Sequence, residues 1–485
     1  MASIYISGQE SSMVRPGTYY RVVSGDVAIS GSTQGVVAAM FQSNWGSGEV
    51  KDLTVEDYAD LEDYYGSGAT FLREIFKGGA QTIRAVRVNS ESTDADAYSS
   101  VTLVGTKVAK DGALGNVDGM VRIVARYAGA RAFSVTVNNK ILTDQRQVTI
   151  YSGTTIFQQV TFDEGDDEGA KLINALANNE YFYAERVVTE DGTAPGGLLA
   201  NVVQKEFTAG KTPTQTAEQY SKIAELLEGY KWNVLVATVN GAAAQEILID
   251  YVKQSYEMGH FGMLVLAGLM STDLADRMAF AQAINDWRVC YLINGWTDIS
   301  GKVYTGYIAA ARLAGMIAGC PSNQSITHLT IANATGLTET LSSGNVVRAE
   351  QKGCLVLTLN DDGQVWLDNA VTTLTTLGND QDKGWTKIRR TKTRFELMER
   401  VNRTVDNLIG RLNNDDDGRA TIVAAAQSII NEMIAESKLQ TGSTVALDPA
   451  HRSVADKVYL LFTIYDIDSI EQVFETFTFS YSGLS

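Results

Sequence analysis

The stretch most suggestive of chemistry is Ala209-Gly210-Lys211-Thr212, a possible cradle for a phosphate. A phosphate loop places a Gly five residues before its Gly-Lys pair, so that successive backbone N–H groups can wrap the anion. That position here is Lys205, and Pro213 follows where a helix should start, so the stretch reads as a plain loop. The three histidines, His260, His328 and His451, are scattered, and none has a His or Cys partner at metal-ligand spacing. They read as surface or packing residues. Asn413-Asn414-Asp415-Asp416-Asp417-Gly418 looks like half of a calcium loop, but the twelfth position is Ala424 where a bidentate Glu is needed. A simpler role for those Asp residues is to cap the positive end of the next helix. Val239-Asn240-Gly241-Ala242 does not supply a dinucleotide fingerprint, and no Gly-x-Ser-x-Gly elbow occurs. No catalytic, cofactor-binding or metal-binding residue is therefore expected.

One helix offers recognition instead of catalysis. Over Arg394–Leu412 the spacing puts Met398, Val401, Val405, Leu408 and Leu412 on one face, with Arg400, Arg403, Asn407 and Arg411 opposite. Between Lys383 and Arg411 nine residues are basic, although the chain carries a net charge of −17. The face is either simply solvated or a docking strip for an acidic protein surface. The overall charge itself disfavours a sequence-independent nucleic-acid binder, which needs a basic surface. No apolar run is long enough to cross a membrane, and Met1-Ala2-Ser3-Ile4-Tyr5 lacks the plan of a signal peptide. Cys290, Cys320 and Cys354, odd in number and widely spaced, argue for free thiols in a reducing compartment.

The elements that must hold these residues change character along the chain. Gly35–Phe41 and Thr82–Val88 are apolar strand candidates, with short helices over Asp57–Tyr65 and Ala69–Lys77 between them. From about Asn89, Ser, Thr, Asp and Gly dominate, and short strands follow at Met120–Tyr127, Phe133–Val137, Gln147–Tyr151 and Ile156–Phe162, interrupted by a helix near Asp167–Ala177. From Thr214 the rhythm becomes α/β. Helices over Thr216–Glu228, Ala243–Met258, Asp273–Trp287 and Tyr304–Ala318 precede strands at Trp232–Val239, Met263–Ala267, Val289–Ile293 and Ile326–Ile331. Apolar strands alternating with such helices imply a parallel sheet covered on both faces. Then come a helix over Gly344–Glu350, a hairpin turning at Asn360-Asp361-Asp362-Gly363, and long helices over Arg394–Leu412 and Arg419–Lys438.

Both ends look like arms. Ile4 and Ile6 alternate with Ser3, Tyr5 and Ser7. At the other end Val458–Tyr465 reads as a buried strand, and beyond the polar break at Asp466–Ser469 the residues Val473, Phe477, Phe479 and Tyr481 alternate with polar ones. Chain ends this apolar must pair with a sheet, their own or a neighbour's. The expected fold is α/β and α+β multidomain. Its parts are an N-terminal arm (1–20), a parallel α/β core (21–90 and 211–340), a mostly β inserted domain (91–210), a C-terminal α+β domain (341–469) and a C-terminal arm (470–485).

Several stretches also carry a family likeness. Leu408-Ile409-Gly410-Arg411-Leu412-Asn413-Asn414-Asp415-Asp416-Asp417-Gly418-Arg419 resembles the helix–loop–helix signature of contractile tail sheath proteins of tailed bacteriophages and phage-tail-like particles. Pro16-Gly17-Thr18-Tyr19-Tyr20, Gly35-Val36-Val37-Ala38 and Trp45-Gly46 are similar to that family's N-terminal block. Gly78-Gly79-Ala80 before Arg84–Val88, and Ala309–Gly319 followed by Asn323-Gln324-Ser325, resemble its next strand and its small-residue helix. The set spans nearly the whole chain in the family's order.

The resemblance implies a structural machine. Subunits would stack as hexameric rings in a helical tube around an inner tail tube protein, meeting baseplate and tail terminator proteins at the ends. Contraction would drive the tube through a bacterial envelope for genome ejection, with no nucleotide hydrolysed, no direct nucleic-acid contact and no membrane insertion. Such a subunit would be made in the host cytoplasm and reside in a virion tail or phage-tail-like particle. It implies that Ile4, Tyr5, Ile6, Val473, Phe477, Phe479 and Tyr481 are donated to neighbours as strands, and that Arg400, Arg403 and Arg411 face the tube. The rival reading is an α/β enzyme, perhaps a hydrolase, with a β insertion domain. It accounts for the central rhythm but leaves the arms without a role.

Overall fold

In a computed structural model, described residues are 35–108, 114–141, 143–188, 197–239 and 241–479, with the backbone of Ser3–Ile4 and Tyr19–Tyr20. Those two short segments pair in parallel with each other. Tyr5, Ile6 and Tyr481 lie outside the described residues.

The core sheet begins with β1 (Val36–Phe41), β2 (Lys51–Thr54), helix α1 (Ala69–Gly78) and β3 (Thr82–Arg87). Every residue of β1 is buried, as expected of a strand covered on both faces. The chain then leaves the sheet and builds two antiparallel four-stranded sheets. Their strands are β4 (Tyr98–Val108), β5 (Leu114–Ala128), β6 (Ser134–Asn139), β7 (Gln145–Ser152), β8 (Thr155–Asp163), β9 (Phe182–Arg186) and β10 (Val202–Glu206), with α2 (Glu168–Leu176) between β8 and β9. One sheet has the order β8-β7-β6-β10, and the other β9-β5-β4 with Leu198–Leu199 at its edge. Three of these strands, β4, β9 and β10, have no counterpart in the sequence reading.

The chain re-enters the core through α3 (Ala217–Leu227), β11 (Val234–Ala237), α4 (Ala242–Glu257), β12 (Met263–Ala267), α5 (Leu274–Ile284), β13 (Val289–Leu292), α6 (Gly306–Gly319), α7 (Ser343–Gln351) and β14 (Cys354–Leu355). The completed seven-stranded sheet runs β14-β13-β12-β11-β1-β3-β2, parallel except where β2 meets β3. The strand expected at Ile326–Ile331 does not form. His328 takes a left-handed φ of 60°, which breaks an extended run, and β14 fills that edge instead. Ile326 and Ile331 still pack into the core as isolated side chains. Helix α6 lies against α1 at backbone distance, because a Cβ at Gly315 would stand 2.0 Å from the carbonyl oxygen of Ile75. That closeness explains the Ala- and Gly-rich sequence of α6. The buried Glu74 of α1 and Arg312 of α6 pair across the contact at 2.6 Å.

The inserted sheets are locked to the core. Trp45, from the loop after β1, is fully buried in their aromatic cluster, 4.9 Å from Phe133 and 5.3 Å from Tyr127. Its indole N–H donates to the carbonyl of Asp63 at 3.1 Å.

Candidate assembly surfaces

The last unit consists of α8 (Ile388–Asp406), α9 (Asp416–Ala435) and the antiparallel hairpin β15 (Thr444–Leu447) with β16 (Leu460–Thr463). It has a small core of its own: Leu397 and Val401 of α8 against Ala426, Ile429, Ile430 and Met433 of α9, closed by Leu439 and Val445. The turn between the helices is capped as the sequence implies, since the Asp415 carboxylate accepts from Gly418 N at 2.8 Å. Gly418 is required there, because a Cβ would meet the Asn413 carbonyl oxygen at 1.9 Å.

Helix α8 starts and stops six residues earlier than the hydrophobic spacing suggests. Its N-terminal half is seated on the parallel core: Phe395 stacks on Phe261 and meets Trp287 at 5.2 Å. Leu408, Arg411 and Leu412 fall in the turn beyond it, where Gly410 has φ 74°.

This geometry corrects the exposed arginine strip. Arg400 is only 8% exposed and points inward, bonding Glu436 at 3.0 and 2.9 Å and Glu396 at 2.6 Å. Lys438 bonds the same two carboxylates at 2.7 and 2.6 Å, and Ser322 donates to Glu396. Burial alone would raise Glu436, yet hydrogen bonds from Arg400 and Lys438 hold it below the usual carboxylate range. Arg403 is half-buried beside Glu399, and Arg411 is exposed. The hydrophobic spacing could not separate Arg400 from Arg403, since the carboxylates that draw Arg400 inward come from α8 itself and from the distant end of α9.

The basic residues at the start of α8 have an acidic partner inside the same chain. Arg390 and Arg394 hold Asp466 at 3.0 and 2.7 Å, Arg389 donates to Ser469 at 3.2 Å, and Lys387 pairs with Glu471. Ser325 and Thr327 also donate to Glu471, each at 3.2 Å. The segment 466–471 is thereby fastened along the first turns of α8 and the loop after α6.

Beyond Glu471 that fastening ends. Residues 472–479 are all exposed and belong to no strand. Phe474 and Phe479 are 90% and 93% exposed, and Val473 and Phe477 over 70%. The hairpin is open as well. Of Val458–Tyr465 only Leu460–Thr463 is a strand, and it is half-buried, not buried: Leu460, Phe462 and the following Ile464 face the small core while Leu461 and Tyr465 face outward. Among the described residues neither β15 nor β16 has a second strand partner. A cavity of about 640 Å³ lies between the hairpin and α8, lined by Leu397, Met398, Val401, Phe462 and Ile464.

The positions that suggested chemistry are dispersed. Lys211 lies 3.3 Å from Asp96, and Gly210 packs where a Cβ would be 2.3 Å from the Ala97 carbonyl oxygen. His328 stacks on Trp366 at 3.9 Å, and His451 pairs with Asp448 at 2.7 Å. Among the described residues no group of His, Cys, Asp or Glu is placed to hold a metal ion, and no helix is long and apolar enough to cross a membrane. The three cysteines are free thiols.

Comparison with known proteins agrees with this arrangement. The family model for the phage tail sheath protein central domain matches residues 214–373, the part that completes the parallel sheet. The sheath tail protein of Desulfitobacterium hafniense superposes with a TM-score of 0.67 at 20% identity, covering 94% of this chain and 97% of that one. The sheath tail protein of Listeria innocua gives 0.63 at 18% identity, covering 89% and 95%. The helical sheath of the anti-feeding prophage in its contracted state gives 0.53 at 8% identity, covering 96% and 98%. None of the curated proteins compared matches the chain. Residues 214–373 are thus similar to the central domain of phage tail sheath proteins, and along nearly its whole length the chain has the fold of sheath tail proteins.

Proposed function

We propose that this chain is the repeating subunit of a contractile tail sheath, stacked as hexameric rings around an inner tail tube and tied to its neighbours by exchanged terminal strands. The observation that carries this reading is the pairing of an exposed apolar arm with an open acceptor. Residues 472–479 present Val473, Phe474, Phe477 and Phe479 to solvent, while among the described residues β16 has no strand on its outer side, where Phe462 and Ile464 line the cavity against α8; the outer edge of β15 is instead bonded by Gln427. Strand addition supplies main-chain hydrogen bonds that are independent of sequence, and alternate side chains then set the register. One chain cannot satisfy both halves, because its own arm is fastened to α8 as far as Glu471. In this proposal Ile4, Tyr5 and Ile6 are exchanged in the same way, and the described backbone of Ser3–Ile4 is already paired as a strand with Tyr19–Tyr20.

Contraction in this scheme is a change between two packings of rigid subunits joined by arms, and requires no catalytic residue. The C-terminal unit faces the tube, with Arg403 and Arg411 offering charge to it; Arg400, locked on Glu436 and Glu396, supports the helix from inside. Baseplate and terminator proteins would cap the two ends of the tube, in a phage tail or tail-like particle assembled in the bacterial cytoplasm.

The decisive experiment is deletion of residues 472–485. Negative-stain images of the intact chain are expected to show striated hollow tubes or rings, and the deletion to leave folded single subunits. Full-length tubes from the deletion would sink the strand-exchange reading.

A further inference from the structure

Between the core and the root of the C-terminal arm lies a cleft of about 830 Å³. Its floor carries Glu350 at the end of α7 and Asp368 after the Val365–Leu367 strand, and its wall is formed in part by Ser469 to Gln472. A chain of contacts crosses it. Glu350 Oε2 accepts from Asn369 Nδ2 at 3.5 Å, Asn369 Oδ1 accepts from Lys387 Nζ at 3.1 Å, and Lys387 pairs with Glu471. Asp368 is fixed in place by the Thr358 hydroxyl at 2.7 Å, which is itself held by the Trp366 indole N–H at 2.7 Å. Glu350 Oε1 is buried and accepts no hydrogen bond.

We propose that Glu350 and Asp368 form a proton-responsive latch on the root of the C-terminal arm, acting through Lys387 on Glu471. The charge count gives the direction. With one proton shared by the two carboxyls, the orphaned Oε1 gains a hydrogen-bonding role, and Lys387 balances Glu471. Without that proton, Lys387 is drawn by Glu350 as well as by Glu471, which Arg389 also attracts. Glu350 and Asp368 are rooted in α7 and behind the central hairpin, so Glu471, at the start of the exposed arm, is the one that leaves. The other charged or titratable groups on the cleft are Lys383 and His328. Burial, reinforced by Asp368, pushes Glu350 up to about 7, which places the release near neutral pH. A group raised in this way favours the fastened arm at lower pH and opposes it as pH rises through 7.

The latch concerns the single chain and stands or falls apart from strand exchange between chains. Hydrogen exchange read by mass spectrometry on the full-length chain, diluted to single subunits and corrected for intrinsic rates, tests it. Protection of 466–471 is expected to fall several-fold between pH 6 and 8. Glu350→Gln, neutral at every pH, keeps the acid-level protection at pH 8; Asp368→Asn, which removes a group that raises Glu350, moves the loss to lower pH; Lys387→Met removes the pH dependence and leaves only the constant protection given by Ser325, Thr327, Arg390 and Arg394. Constant wild-type protection across pH 6 to 8 would overturn the latch, as would an unshifted loss in Glu350→Gln or a retained pH dependence in Lys387→Met.

Discussion

The Arg87 guanidinium donates to the carbonyl of Ala128 at 2.7 Å, a single bond that ties the last residue of β3 in the core to the last residue of β5 in the inserted sheets. The same buried side chain donates to Gly46 at 2.8 Å, and burial pushes its pKa down to about 10. Arg87→Ala leaves two buried carbonyls without donors and is expected to cost about 2–4 kcal/mol. Thermal denaturation should show this as a lowered Tm.

Trp45 supplies the apolar half of that junction. Trp45→Ala opens a cavity in the aromatic cluster and removes the bond to Asp63, with an expected loss of about 3–5 kcal/mol. Denaturant unfolding should then separate into two transitions, with the inserted sheets melting first; a single transition would mean that the inserted unit does not depend on this plug.

Gly315→Val tests the contact of α6 with α1. The obstacle is the Ile75 carbonyl, which cannot swing aside as a side chain could, so the variant is expected to fail to accumulate as soluble protein. Measured soluble yield and helicity check this.

The network at the end of α9 has a pH signature. Burial would raise Glu396, but hydrogen bonds from Lys438 and Ser322 hold it below its ordinary value, and Glu436 behaves likewise. Groups lowered on folding stabilise above their unfolded values, and that stability is lost as pH falls through the folded values. Arg400→Met is therefore expected to lower Tm at pH 7 and to lose this advantage in acid, where the wild type is itself weakened. The single variant leaves Glu396 and Glu436 to share Lys438, with an expected cost of about 1.5–3 kcal/mol for the lost charged hydrogen bonds.

Arg411→Glu addresses the tube. In the proposed assembly it weakens sheath–tube association and reduces its salt dependence without altering Tm, measurable by co-sedimentation over a salt series. Unchanged co-assembly would remove Arg411 from the tube surface.

The parallel core was legible in the sequence because strands covered on both faces are continuously apolar: Val36–Phe41 and Met263–Ala267 need no partner information to be recognised. Strands β9 and β10 were not, since Phe182–Arg186 and Val202–Glu206 mix charged and apolar residues at sheet edges. Period-two alternation past Glu471 suggested a strand, which residues 472–479 do not form within the chain, and nothing local foretold the fastening of 466–471 before them. The affinity of Asp466 and Glu471 for α8 depends on residues some eighty positions away, and local periodicity carries nothing about such pairs. Arg400 fails for the same reason.

The fastening of 466–471 also defines a path for mechanical load. A pull on residue 472 reaches Glu471 and Lys387 first, then Ser469 and Asp466 against Arg389, Arg390 and Arg394. From there it passes along α8 to Phe395 and its aromatic bed on the parallel sheet. These contacts lie between residue 472 and the hairpin strand Leu460–Thr463 along the chain, so they take up the pull before the hairpin does. Tension on the arm is thus delivered to the parallel core through Phe395.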